Sequence, residues 1–202
     1  MEQRKRMIDR LQRVVLLRLF FTTLVFSIGH IKFSVEQLNF YWLIAFVYFV
    51  SVIFILAVRT KRYLRLQIAA QIGVDILLIA VIVVNTGGLG SLFLLLYVFP
   101  IMSAGYLASA TASLMAAILV GCVHLSANIA QAYGVLRCFH IQTIPDQSIA
   151  SILYTSYVHM LTFILVGICF ASLVRRLKQM ESRMRINEHL ALVGEVSAEI
   201  AH

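Results

Sequence analysis

Charged residues, prolines and paired cysteines are scarce in this sequence. Charged residues make up 13% of its 202 residues and hydrophobic residues 61%, with two prolines and a mean hydropathy of +0.91. In soluble domains roughly half of the residues are apolar and about a quarter are charged. The composition therefore excludes an ordinary soluble domain. The three cysteines are an odd number, and Cys122 and Cys169 lie inside apolar runs, which argues against a disulfide framework or a cysteine metal site.

Segments of about ten residues that alternate apolar and polar side chains, as a membrane barrel requires, are also lacking. The apolar runs instead reach the ~20 residues with which a helix crosses a bilayer. We therefore predict an all-α, polytopic membrane protein with about six transmembrane helices. Their expected positions are 14–30, 40–58, 66–85, 89–107, 109–133 and 149–173. No small-residue cleavage site follows the first run, so we expect it to be retained as a span and not removed as a signal peptide.

Basic residues form three clusters that frame these spans. Because cytoplasmic loops are enriched in Lys and Arg, the clusters place both termini in the cytoplasm and require an even number of crossings between Arg65 and Arg175. The net charge of +8 is then explained by anionic lipid headgroups and needs no nucleic acid partner. The clusters are Arg4, Lys5, Arg6, Arg10 and Arg13; Arg59, Lys61, Arg62 and Arg65; and Arg175, Arg176, Lys178, Arg183 and Arg185.

The composition changes after Val174 to Arg, Lys, Glu and Gln. Apolar residues recur there at spacings of four and three, which is the heptad pattern of a coiled coil. Two such seams are present, and the second is shifted in phase, so they cannot form one uninterrupted coiled coil. The first seam is Leu173, Leu177, Met180 and Met184, and the second is Ile186, Leu190, Val193 and Ile200.

The stretch from Glu188 to His202 resembles the start of the H-box of histidine kinases, in which a Leu-Ala-x-x-Gly-Glu run leads to an Ala-His pair. Here Leu190 to Glu195 is that run, and Ala201 and His202 are the pair. The resemblance implies that His202 is the phosphoacceptor of an ATP-dependent histidine protein kinase. It also implies a homodimer in the bacterial inner membrane that passes phosphate to a response regulator. The alternative is an ordinary surface histidine.

The domains expected from this resemblance are a cytoplasmic basic N-terminus (1–13), a six-helix transmembrane sensor (14–173), a signalling linker helix (174–188) and the start of the phosphoacceptor helix (189–202). The acidic residue and Asn-Pro that follow the histidine in the family are absent, and so is the ATP-binding domain. We therefore expect this chain alone to bind no cofactor and to be inactive. A fragment of a longer kinase and a truncated gene product both remain open.

A second resemblance lies in the third span and the turn after it. Val74-Asp75-Ile76-Leu77 and Asn85-Thr86-Gly87-Gly88-Leu89-Gly90-Ser91 resemble the six-span sensors of the type IV pilus (PilS-type) and of nitrogen-regulatory-type kinases. The sensory PAS domain usual in the PilS-type pattern is missing. The glycines predict a tight outer turn, and Pro100 is expected to kink the fourth span.

Four polar residues within the spans are candidate functional residues: Asp75, His124, Asn128 and His159. An ionisable group in a membrane usually faces protein or water, and Arg18 is a possible partner for Asp75 unless it snorkels to the headgroups. His124 and Asn128 share a helix face, and interhelical hydrogen bonding is a better explanation for them than a metal site, because no carboxylate accompanies them.

Sensing is the leading functional hypothesis. A small transporter would instead use the intramembrane polar residues to line a pathway, but it has no need of a tail helix that ends in Ala-His. A nonenzymatic membrane regulator that pairs with intact kinases is the third possibility.

Overall fold

The structure is a computed structural model that describes residues 11–24, 27, 38–59, 64–135 and 148–201. These residues form helices and turns and no strand, so the predicted all-α class is confirmed for this part of the chain. The helices are α1 (residues 11–24), α2 (Leu38–Arg59), α3 (Leu64–Asn85), α4 (Val98–Leu107), α5 (Ala110–Ala132) and α6 (Ile149–Ala201), with 3-10 segments at Gly88–Gly90 and Leu92–Tyr97.

Among the described residues, three helices are long and apolar enough to cross a membrane. They contain Leu66–Asn85, Ala110–Ala132 and Ile149–Met184. Two shorter apolar stretches, Ala45–Ala57 and Leu92–Leu107, correspond to the second and fourth predicted spans. The membrane character is therefore supported by three helices, and a count of six crossings stays a prediction.

The fourth predicted span differs from a regular helix. The chain turns at Gly87 and Gly88, whose φ angles of 117° and 55° lie in the region that favours glycine. Six residues of 3-10 helix then precede the ten residues of α4, so Pro100 lies in the first turn of an α-helix, where its missing N–H costs no helical bond, and not in mid-helix. Because 3-10 helix rises faster than α-helix, the two together reach about 27 Å, close to the thickness of the hydrocarbon core.

Contacts between helices fix their relative directions. Arg18 on α1 pairs with Asp75 on α3. Leu11 and Ile68, each about two turns earlier on its helix, share a core cluster, so α1 and α3 run parallel. The contact of Arg18 with Phe54 and the hydrogen bond between Thr23 and Tyr48 show that α2 runs antiparallel to α1.

The second half of the bundle continues this alternation. Gly167 approaches Ala117 and His159 approaches His124, so α5 and α6 are antiparallel. Gln131 bonds to the carbonyl of Val84, which brings the last turns of α3 and α5 together. The described helices thus alternate in direction from α1 to α6.

Small residues allow α5 and α6 to pack closely. A Cβ built on Gly167 would lie 2.7 Å from the Cβ of Ala117, and one on Gly121 would lie 2.7 Å from Cγ of Met160. Close approach of helices at small residues is a common basis of packing in membranes, where lipid is as apolar as the side chains. The central core beside this contact includes Ile76, Tyr97, Val120 and Phe163.

We predict that Gly167→Ala destabilises the bundle by about 1–3 kcal/mol, because neither Ala117 nor the α5 backbone can move aside cheaply. Gly73→Ala on α3 is the matched control. Nothing lies within 4 Å of its Cβ position, so we expect it to be neutral or to stabilise by up to about 1 kcal/mol. Unfolding free energies in mixed micelles check both variants, and equal effects at the two glycines would contradict the packing assignment.

Candidate functional site

One face of α3 carries two buried polar residues one helical turn apart. Gln71 is 1% exposed and Asp75 is 4% exposed. Oδ1 of Asp75 lies 2.7 Å from Nη1 of Arg18, and both side chains are almost fully buried. The partner suggested by the sequence is therefore present, and Arg18 does not snorkel to the surface of the bundle.

The ion pair lies in a largely apolar environment. Nη1 and Oδ1 make no hydrogen bond beyond their mutual contact among the described residues, and the guanidinium carbon lies 5.8 Å from the ring centroid of Phe54. Beside the pair is a small cleft that is partly open to the surroundings. Apart from Thr22 its other walls are apolar, and they include Phe21, Val47, Leu78, Ile82, Leu96 and Phe99.

A buried ion pair of this kind sets the relative position of two helices but adds little net free energy to the stability of the fold. Two charges taken out of water regain little net free energy by pairing, yet loss of one partner leaves the other charge buried and uncompensated. Arg18 and Asp75 therefore restrict α1 and α3 to one relative register. With opposite charges in contact, neither group is free to bind an ion of its own.

The second buried polar group joins α5 to α6. Nε2 of His124 lies 3.0 Å from Nδ2 of Asn128 and 3.1 Å from Nδ1 of His159. Nδ2 of Asn128 also donates to the hydroxyl of Ser156 at 3.2 Å. We call these four residues the histidine cluster. The interhelical hydrogen bonding expected of His124, Asn128 and His159 is thus observed.

Aromatic rings enclose the histidine cluster. Tyr97 from the 3-10 segment and Phe163 from α6 both meet the ring of His124 edge to face, with centroids 5.8 and 5.9 Å away. Tyr97 is completely buried, and its hydroxyl has no hydrogen-bond partner among the described residues. Sequence analysis missed Tyr97 because it precedes α4 in a 3-10 segment. Ser156 was detectable, since it lies three residues before His159 on the same face of α6.

Metal binding would need more ligands than this cluster offers. Within the described residues, no group of three or more His, Cys, Asp or Glu side chains is arranged to hold a metal ion. Two imidazoles with an amide and a hydroxyl leave a transition metal short of the ligands it usually takes.

The predicted phosphoacceptor His202 lies outside the described residues, but the helix that leads to it is present. α6 is a single helix of 53 residues that ends at Ala201. Toward the C-terminal end of α6, apolar residues of both predicted seams are 49–65% exposed among the described residues. These are Leu173, Leu177, Met180, Met184, Ile186, Leu190 and Val193.

Comparison with known proteins identifies no relative: no family model, no curated protein and no solved structure matches this chain.

We predict a strong coupling between Arg18 and Asp75. Asp75→Leu alone and Arg18→Met alone should each cost about 3–5 kcal/mol of unfolding free energy, because each leaves a buried charge unpaired. The double variant should cost much less than the sum of the two, since it removes both charges. A double-mutant cycle in mixed micelles measures this coupling. Additive or negligible single effects would show that the two groups do not depend on each other.

Proposed function

We propose that this chain is the membrane sensor part of a two-component histidine kinase. The observation that carries the proposal is the continuity of α6. This one helix holds Ser156 and His159 inside the bundle, passes an exposed heptad seam, and runs to the residue before His202. A change of contact in the bundle can therefore reach the phosphoacceptor as a shift or rotation of one rigid element.

Six crossings agree with the alternating helix directions. Parallel α1, α3 and α5 require that α2 and the segment with α4 return across the membrane, and the three basic clusters then all face the cytoplasm. The 3-10 start of the fourth segment supports this arrangement because it lengthens a stretch of 16 residues, Leu92–Leu107, toward the span of the hydrocarbon core. The membrane would be the bacterial inner membrane.

A second copy of the chain is the partner that best fits the exposed seams. Leu173, Leu177, Met180 and Met184 recur at heptad spacing on one face of α6, and each is about half exposed or more among the described residues. In water such a stripe is buried by an equivalent stripe, which gives a parallel pair of helices. The seam that begins at Ile186 is displaced around the helix, so the pair must change its winding between the two seams.

In the proposed reaction, an unprotonated imidazole nitrogen of His202 attacks the γ-phosphorus of ATP. A nitrogen–phosphorus bond forms, the bond to the bridging oxygen breaks, and ADP leaves. A neutral imidazole is available at cytoplasmic pH because an unperturbed histidine has a pKa near 6.5. The ATP would be bound by a catalytic domain outside these 202 residues, and a response regulator would then receive the phosphate.

The two rival functions explain less of the structure. A transporter would need intramembrane polar groups open to a substrate, whereas Asp75 is paired with Arg18 and the histidine cluster is closed by its own hydrogen bonds. A nonenzymatic membrane regulator with a dimerising tail shares the exposed seam with the kinase proposal. Phosphorylation of His202 would distinguish the kinase proposal from the nonenzymatic regulator.

We predict that the gene product that contains this chain is labelled by ATP in membranes, and that His202→Gln abolishes the label. His189→Gln is the matched control because His189 lies on the same helix, and it should leave the label unchanged. The label should be stable to alkali and labile to acid, as a phosphorus–nitrogen bond is. A label that survives His202→Gln would refute the site, and no label at all would favour the nonenzymatic regulator.

We also predict dimerisation through the seam. In a chain whose three native cysteines are replaced, Leu177→Cys should form an intermolecular disulfide on mild oxidation, because seam residues face each other across a helix pair. Gln179→Cys is the control, two residues away and on roughly the opposite face. Equal crosslinking at both positions would indicate random collision and not a seam.

A further inference from the structure

The cleft beside the Arg18–Asp75 pair has room for very small molecules. Water centres have about 40 Å³ of it available to them, and one water requires about 10–15 Å³ of such space. The cleft therefore has room for about three waters. It lies among α1, α2, α3 and the fourth segment, which contribute Thr22, Val47, Ile82 and Leu96 to its walls.

The ion pair supplies hydrogen-bonding groups to this cleft. Arg18 and Asp75 both line it, and their side chains are 5% and 4% exposed. A guanidinium has five N–H donors, and the contact in the structure joins only Nη1 to Oδ1 of Asp75. Nε and Nη2 of Arg18 and the second oxygen of Asp75 are therefore available to a ligand. Thr22 adds a hydroxyl on the α1 wall.

Charge and hydrogen bonding together select the kind of ligand. Arg18 can only donate hydrogen bonds, and the carboxylate of Asp75 can only accept them. Because the two charges are opposite and in contact, the site offers no net charge to an ion. A lipid acyl chain would match the apolar walls but would leave the charged groups without hydrogen bonds, which is costly away from bulk water. Water is neutral, and it both donates and accepts, so it suits both groups.

An apolar cluster closes the cleft on one side of the pair. Leu11 and Ile68, about two turns before Arg18 and Asp75, pack with Val14 and Leu107, and all four cluster residues are 0–8% exposed. Phe99, which lines the cleft, packs against this cluster. The walls continue from the pair in the opposite direction, to Thr22 on α1 and Ile82 on α3. The opening of the cleft therefore lies away from the apolar cluster.

Hydroxyl groups continue along α1 on the side away from that cluster. Thr23, the neighbour of Thr22, is hydrogen-bonded to the hydroxyl of Tyr48, the neighbour of Val47. One turn further along α1, the hydroxyl of Ser27 donates to the carbonyl of Thr23. Both hydrogen bonds are exposed. This side of the cleft thus carries groups that water can bond, and under the proposed topology it faces the outside of the cell.

We propose that this cleft is an internal hydration site, in which about three water molecules bind to the free donors of Arg18 and the free oxygen of Asp75 and are reached from the side of Thr22 and Tyr48. Water carries no charge, so each charged group still depends on the other. The site does not depend on kinase function. Only the assignment of its open side to the outer face rests on the proposed topology.

The test is solid-state NMR of the 202-residue chain in lipid bilayers, with magnetisation transferred from water to carbon-13 in the side-chain carboxyl and amide groups of Asp and Asn. The chain has three aspartates, and Asp9 and Asp146 lie outside the predicted spans, so Asp9→Asn and Asp146→Asn identify the Asp75 signal by elimination. We expect Asp75 to receive water magnetisation nearly as early as these two. Asn128 is the dry reference and should receive it late, because it is 3% exposed and its amide bonds to protein side chains.

A variant that fills the cleft tests its position. Val47→Leu adds a methylene group from the α2 wall and should abolish the early transfer to Asp75. Val52→Leu is the matched control on the same helix, and it should leave the transfer unchanged because Val52 is 52% exposed.

Three results would overturn the proposal: an Asp75 signal that grows as late as that of Asn128 in the unmodified chain, early transfer that persists in Val47→Leu, or equal loss in both valine variants. The unmodified chain decides the first point even if Val47→Leu fails to fold. Absence of ATP labelling in the gene product would count against the kinase proposal alone, since the transfer experiment contains no kinase readout.

Discussion

Polar side chains inside an apolar helical bundle have little water to bond, so partners within the protein are strongly favoured, although the Tyr97 hydroxyl and the Gln71 amide have none among the described residues. This requirement organises the described part of the chain. Arg18 and Asp75 satisfy it by joining α1 to α3, and His124, Asn128, Ser156 and His159 satisfy it by joining α5 to α6. Apolar packing is nearly non-directional in lipid, so these directional contacts, with the close approach at Gly167, set which helices touch and at what register.

The two polar groups differ in what they allow. Opposite charges at 2.7 Å have one favourable arrangement, and this makes the Arg18–Asp75 contact a fixed point of the bundle. The histidine cluster is held by hydrogen bonds of 3.0–3.2 Å among imidazole, amide and hydroxyl groups, and no ion pair contributes to it.

The exposed part of α6 obeys a different constraint. Leu177 and Met180 are 49% and 61% exposed, and apolar surface of this kind gains free energy when another helix removes it from water. The helix nevertheless continues without a break through the point where the two seams change phase, between Met184 and Ile186. A second chain that followed both seams would have to alter its winding there.

The sequence by itself determined the all-α class, the apolar helices and the heptad seams, because these depend on local composition and on periodicity along one helix. It also indicated Arg18 as a partner for Asp75, since an unpaired charge is too costly in lipid. Only the tertiary structure decided that Tyr97 stands beside His124 and that Ser156 bonds to Asn128, because those contacts depend on the relative register of helices. It also showed that the fourth segment starts as 3-10 helix with Pro100 in the first turn of α4. Local propensity does not predict that, because the segment's geometry is set by the turn at Gly87 and Gly88 and by the core around Tyr97.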